Sequence, residues 1–570
     1  MPQRKKPEEL PDELPRKKWW LPLLIGLVLL VVAIYGGRKL YGRLEPERLA
    51  RRAQVLMDKR DYRGALITLS RALQINNNSE SATRAMIELM ERLQAPQTSE
   101  WHRRLSELNP NANDDAMAWA EHALKQGEPA SAARALTQVP SENRSNPQFQ
   151  SAAGLTAIQA GNLQAARAFF GEAAKLDPKS DVIRYNLALV QVQSHEPAES
   201  AAGMASLVEL GKSGRAQSFA LRTLVGQYAR TGRIEEALAS SNQLVSLPVA
   251  GFKDHLGNAE LLRHLKRAEW TSSLEKAKLA AEEKPEDAAG IVNWYRINQQ
   301  ADEGLKWSEK LDPAVTDSPT VRSARAECLT TLARWDLLLR LARSDSWGPQ
   351  EFRRYAYLAR AQAEAGDTAS SNGSWANAIR ACYVDRWRLM QIAGMATSWG
   401  WKEQAREVLW VAAYAVSPDW ALQQLYQGYS SERNTPDMLR VVRRMVDVDG
   451  SNLGAKNNVA VFSLLLQQNV QEALLLTQEL VKLKPEEPIF RATYAFALLS
   501  DGRIEESLQA IEHITPELRA DPAFALYSAM IYQANGDAKK AREYLAKIDR
   551  TKLLPEEERL AAKVWELTPS

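Results

Sequence analysis

The sequence predicts an all-α solenoid about fifteen antiparallel helix pairs long, preceded by one transmembrane helix. Three observations carry that expectation. Small residues, turn residues and prolines return every 33 or 34 positions from residue 46 onward. The uncharged run WWLPLLIGLVLLVVAIYGG occupies residues 19–37. No stretch of the roughly 100 residues typical of a globular domain escapes the repeat. A fixed period of this length belongs to stacked modules, each burying its apolar face only against its neighbours.

Residues 1–18 read as a basic, proline-rich tail. Over residues 1–60, 14 Lys/Arg stand against 7 Asp/Glu, whereas the remaining chain holds 59 against 63. Positive charge therefore flanks the apolar run and the repeats are nearly neutral. A nucleic-acid binder needs its basic stripe on the folded part, so no nucleic-acid partner is expected. Nineteen residues of helix span about 28 Å, close to the hydrocarbon thickness of a bilayer. Trp19 and Trp20 at one edge, with Tyr35 and Tyr41 near the other, suit the two interfaces. Ala33-Ile34-Tyr35 offers no small-x-small cleavage site, which favours a retained anchor over a signal peptide. Basic residues are balanced across the run, and the loose tail tips the expectation. The chain reads as a single-pass protein of the inner (plasma) membrane with its repeats extracytoplasmic or periplasmic.

The clearest cycle begins at Pro147. Counting from there, Gly154 is position 8, Gly161 is 15, Ala166 is 20, Phe170 is 24, Ala173 is 27 and Pro178 is 32. Positions 8, 20 and 27 are where helix backbones approach most closely, so only small residues fit. Larger residues at 11 and 24 fill the groove that remains. Glycine at 15 supplies the positive φ that ends a helix, and proline at 32 stops the second helix. Cycles are expected to start near 46, 80, 113, 147, 181, 218, 254, 285, 319, 352, 386, 420, 454, 488 and 522. The segment NPQFQSAAGLTAIQAGNLQAARAFFGEAAKLDP resembles a tetratricopeptide (TPR) repeat, which implies a right-handed TPR-like solenoid. The expected division is an N-terminal array at 38–250, degenerate repeats with a hinge at 251–318, a C-terminal array at 319–555 and a capping helix at 556–570. In that cap, Leu560, Val564 and Leu567 should cover the solenoid end while Glu556–Glu558 face water. The turn-like stretch GDTASSNGSW (366–375) suggests that its helix starts late.

Nothing in the motifs points to catalysis. The six histidines (His102, His122, His195, His255, His264 and His513) show no HExxH or i,i+4 pair. No P-loop, GxGxxG or GxSxG stretch is present. No enzyme activity, cofactor or metal is expected. Cys328 and Cys382 lack paired spacing and read as small buried apolar residues.

Arrays of this resemblance line a concave groove with the first helix of each pair, through positions 2, 5, 9 and 12. Mapping those positions nominates Asn458, Phe462 and Leu465, then Ile489, Phe496 and Leu499, then Leu526 and Met530, as a groove for a helix or extended peptide. A second candidate is an aromatic patch of Trp387, Trp399 and Trp401, within a span that holds six of sixteen tryptophans. The layout is similar to bacterial envelope TPR scaffolds, which implies a membrane-tethered scaffold holding a protein or peptide in envelope assembly, secretion or surface-polysaccharide export. The alternatives are a carbohydrate-binding module that uses the tryptophan-rich surface on a polysaccharide, and a cytoplasm-facing regulator of a membrane enzyme.

Overall fold

The computed structural model describes residues 20–567 apart from 94, 96, 111, 416 and 417, and without the side chains of residues 20–37 and 523. Regular structure among the described residues is entirely helical, in a TPR-like solenoid of antiparallel pairs. The expected starts meet the observed first helices to within two residues from the second cycle onward. Those helices are Glu80–Arg92, Asn113–Lys125, Pro147–Gln159, Asp181–Gln191, Gln217–Arg230, Phe252–His264 and Pro285–Ile297. They continue as Pro319–Thr331, Glu351–Glu364, Arg386–Ser398, Pro418–Ser431, Leu453–Leu465, Pro488–Ser500 and Pro522–Ala534.

The cycle from Pro147 shows why the spacing works. Ala166, Phe170 and Ala173 are fully buried. A Cβ on Gly154 would fall 2.7–2.9 Å from the Phe170 ring, so position 8 has no room for a side chain. Gly161 takes φ 75° at the turn. Asn162 then caps the next helix, its side chain accepting from the Ala165 N–H at 3.0 Å.

Several expectations are corrected. The single-pass anchor at 19–37, and with it the membrane localisation, is not supported: among the described residues no helix is long and apolar enough to cross a membrane. Residues 1–19 and the side chains of 20–37 lie outside the described residues. Pro46 does not open a helix but lies inside the continuous helix Trp20–Asp58, which absorbs the lost N–H bond. The GDTASSNGSW helix does not start late. It begins at Thr368, because Asp367 caps it by accepting from Ser370 N. Its serines then bond across to the preceding helix, Ser371 to the Ala359 carbonyl and Ser374 to Gln362.

The chain divides into two compact units, Met1–Ala277 and Lys278–Ser570. In the first unit the described core falls into separate clusters, among them Leu49–Met90, Ala116–Ala153 and Ala188–Leu244. In the second, one long cluster runs from Phe352 to Tyr527, beside smaller ones at Ala492–Ile531, Ala529–Val564 and Leu526–Ala561. The last helix, Pro555–Leu567, ends the second unit. Val564 packs with Ala529, Tyr532 and Leu545, as a cap must. Leu567 instead stays 65% exposed, beyond the reach of that face. Nor do all three glutamates face water: Glu556 accepts from Thr435, Glu557 from Tyr527 at 3.1 Å, and Glu558 pairs with Arg433 at 2.6 Å.

Candidate functional site in the second unit

Four successive first helices of the second unit, Pro285–Ile297, Pro319–Thr331, Glu351–Glu364 and Arg386–Ser398, together line a cavity of 630 Å³. Its wall carries Arg296, Glu327, Thr330, Thr331, Trp335, Tyr357, Arg360 and Trp399. Because each first helix presents the same face one period later, side chains 30–34 residues apart in sequence become neighbours. This stacking is how a solenoid builds an extended surface from separate repeats.

Arg360 sits at the centre of this arrangement. Its guanidinium lies over the rings of Trp335 at 5.3 Å, Trp399 at 5.7 Å and Trp401 at 5.4 Å. It pairs with Glu364 at 2.7 Å and donates to the Trp399 carbonyl at 3.3 Å. Its Nε is buried with no hydrogen-bond partner. Deeper in, the Glu327 carboxylate takes Arg296 at 3.2 Å and also Arg353. Arg353 reaches the Tyr357 hydroxyl at 3.3 Å, and its own Nε is likewise unpartnered. Burial works against the Arg353 charge, but Tyr357 and Glu327 outweigh it and hold the guanidinium on. Burial pushes the Tyr357 phenol well up, against the opposing pull of Arg353, so it stays protonated. Arg296, Arg360 and Glu327 thus line a tryptophan-framed cavity, with Arg353 and Glu364 paired to them from outside its wall. The arrangement suits an incoming anion, since planar guanidiniums favour carboxylates and stack on aromatic faces.

The residues nominated from sequence are placed differently. Phe462, Leu465, Phe496 and Leu526 are buried core residues, and Asn458, Leu499 and Met530 are half-buried. Ile489 is 44% exposed. The chain's own C-terminal segment packs against part of that stretch. Leu554 and Leu560 pack against the cluster that holds Phe462, Leu465 and Phe496, and Leu553 and Ala561 join Leu526 and Met530. These side chains therefore do not line an open groove. Trp387, Trp399 and Trp401 do not form one patch either. Trp387 is 66% exposed at one end of its helix, about 18 Å from Trp399 at the other end by the helical rise of 1.5 Å per residue. Trp399 and Trp401 meet edge to face at 5.3 Å and sit against Arg360, which leaves the polysaccharide partner without support. Sequence reasoning missed Arg296, Arg353 and Arg360. Arg296 lies on one first helix and Arg353 and Arg360 on another two repeats later, and arginine on a helix usually reads as a solvated face.

The first unit carries a different surface. Glu121, Leu124, Leu155, Val182 and Ile183 from three successive first helices line a cavity of 590 Å³. Both cysteines, fully buried in the second unit, are free. Burial pushes each thiol up to about 12, which leaves both chemically quiet.

With this geometry in view, the comparisons with known proteins place the repeat. Residues 148–180 match the tetratricopeptide repeat family. A TPR repeat-containing thioredoxin, TTL4 of Arabidopsis thaliana, is 36% identical over 80 residues. That match covers 14% of this chain and 11% of the relative. Among solved structures, one from a functional characterisation of Pseudomonas aeruginosa pilF is 11% identical, with a TM-score of 0.25. It covers 47% of this chain and 99% of its own. An IFIT1 monomeric mutant with Gppp-AAAA is 13% identical with a TM-score of 0.31, covering 77% and 91% respectively. One segment of the chain, residues 148–180, thus matches a tetratricopeptide repeat, and the antiparallel helix pairs on either side of it follow the same period.

Proposed function

We propose that this protein is an interaction scaffold whose second unit seats an acidic, carboxylate-bearing segment of a partner protein in the Arg360 cavity. The observation that supports the reading is Arg360 itself. A guanidinium held among three tryptophans, with a buried Nε left unpartnered, is pre-organised for an anion and loses little freedom on binding one. Side chains at 30–34-residue spacing favour an extended segment over a small globular knob, because the wall draws on four helices in succession.

The test is selection of displayed 12-residue peptides on the full chain, followed by fluorescence anisotropy of the peptides recovered. Acidic sequences should be enriched, and amidating their carboxylates should abolish binding. Arg360→Gln should weaken them at least about tenfold, the scale of one charge-assisted hydrogen bond. Thr331→Trp, at an exposed position on the cavity wall, should block them without touching the core. Peptides that bind both variants as tightly as the parent would sink the proposal.

A further inference from the structure

We infer that Glu91, His102 and His122 form a binding site for a first-row divalent cation, zinc by donor chemistry, clipping three successive helices of the first unit. One ligand atom from each lies within 4.8 Å of the others. Glu91 stands near the end of Glu80–Arg92, His102 in Thr98–Leu108 and His122 in Asn113–Lys125. Sequence separations of 11 and 20 residues match no metal motif, so only the packing of the three helices brings the set together.

The donors suit the ion. Two imidazoles and one carboxylate make a three-ligand zinc set that keeps a fourth position open. On a tetrahedral zinc with bonds of about 2.0–2.1 Å, neighbouring ligand atoms stand about 3.3 Å apart. His102 Nε2 and Glu91 Oε1 are already 3.2 Å apart. The His122 ring stacks on His102 with centroids 5.0 Å apart, and must swing by about 1.5 Å to complete the set. Its surroundings permit this: it is half-buried, and Gln126 stands at 3.5 Å from its Nε2.

The charges around the two imidazoles also favour a cation. Of the charged groups that face them, Glu91, Asp115 and Glu128 draw a cation in and Lys125 opposes it.

The experiment is a calorimetric titration of the metal-stripped full chain with zinc sulfate. Thermal melts with and without zinc accompany it, together with cobalt substitution read by visible absorption. One equivalent should bind with a dissociation constant at or below about 1 µM, raise the melting temperature and give the cobalt spectrum of a four-coordinate site. Glu91→Gln, at an exposed carboxylate, and His122→Gln should each weaken uptake at least about tenfold. Melts of both variants without zinc should match the parent, which shows that the fold is intact. His264→Gln, at an exposed and unrelated histidine, should change nothing. No stoichiometric uptake, uptake unaltered in both site variants, or loss through His264→Gln would each overturn the inference.

Discussion

The two units are built from the same repeat, and polar contacts about one period apart occur in both, but their described cores are divided differently. The first unit has several separate clusters, accompanied by such polar contacts. Gln54 donates to Glu88 at 2.8 Å, Arg84 to Asp115 at 2.9 Å and Ser106 to Gln138 at 2.6 Å. Arg222 grips Asp254 through two bonds of 2.8 Å. In the second, a run of rings crosses from repeat to repeat. Trp347 meets Tyr357 at 6.2 Å, Tyr357 meets Trp399 at 5.9 Å, and Trp401 joins Trp399 at 5.3 Å to Trp375 at 5.8 Å. Tryptophan usage tracks the difference, with five in residues 1–277 and eleven in 278–570. A tryptophan is long enough to touch two repeats at once, whereas alanine reaches only its neighbour. The same repeat spacing therefore yields one long cluster beside small ones, or small ones throughout, depending on the large residues placed between the small positions.

The contrast can be broken in measurable ways. The largest effect is expected from deleting residues 554–570. That removes the buried Val564 at about 1.5–3 kcal/mol and the half-buried Leu554 and Leu560 at less each, together with the Arg433 and Tyr527 partners. The second unit's calorimetric transition should fall by many degrees and solubility should drop, with the first unit's transition unmoved. An unchanged trace would show that the helix is no cap. Next come paired core substitutions, one in each unit. Trp375→Ala should cost about 3–5 kcal/mol, spread through the second unit's continuous cluster. Gly154→Ala should cost about 1–3 kcal/mol by forcing Phe170 aside. Its effect should stay local, as hydrogen exchange confined to neighbouring helices would show.

The smallest effect tests the polar bridges. Arg222→Met leaves the Asp254 carboxylate nearly buried beside a guanidinium lost, but Arg222 is partly exposed, so about 1–2 kcal/mol is expected rather than the full value of a buried pair. Burial alone would raise the Asp254 carboxyl; the Arg222 guanidinium and the Gly251 N–H outweigh it and hold it below its ordinary value. A depressed folded value stabilises the fold at pH above the unfolded carboxylate's, about 3.9, and that contribution fades as pH falls through the folded value. Urea melts from pH 7 to pH 3 should therefore show a steeper acid loss in the parent than in Arg222→Met. Parallel curves would remove this bridge from the account.

Much of the fold was legible because the repeat is a local code. Gly154, Gly161 and Phe170 each answer to contacts within one helix pair, and helix starts followed from them to within two residues. The sites were less legible. Leu526 packs with Leu553 and Ala561, and no local pattern tells that the chain's own end covers it. Nor does a local pattern show that His102, His122 and Glu91 converge.

By itself, then, the sequence determined the helix pairs, their period and the small residues at their crossings. Those features depend on side-chain volume and backbone angle over a few residues. Tertiary structure alone decided which side chains of distant repeats share a cavity, a ring stack or a ligand set. Such neighbours are set by the stacking of whole helices, in which small rotations per repeat accumulate and no single residue records the result.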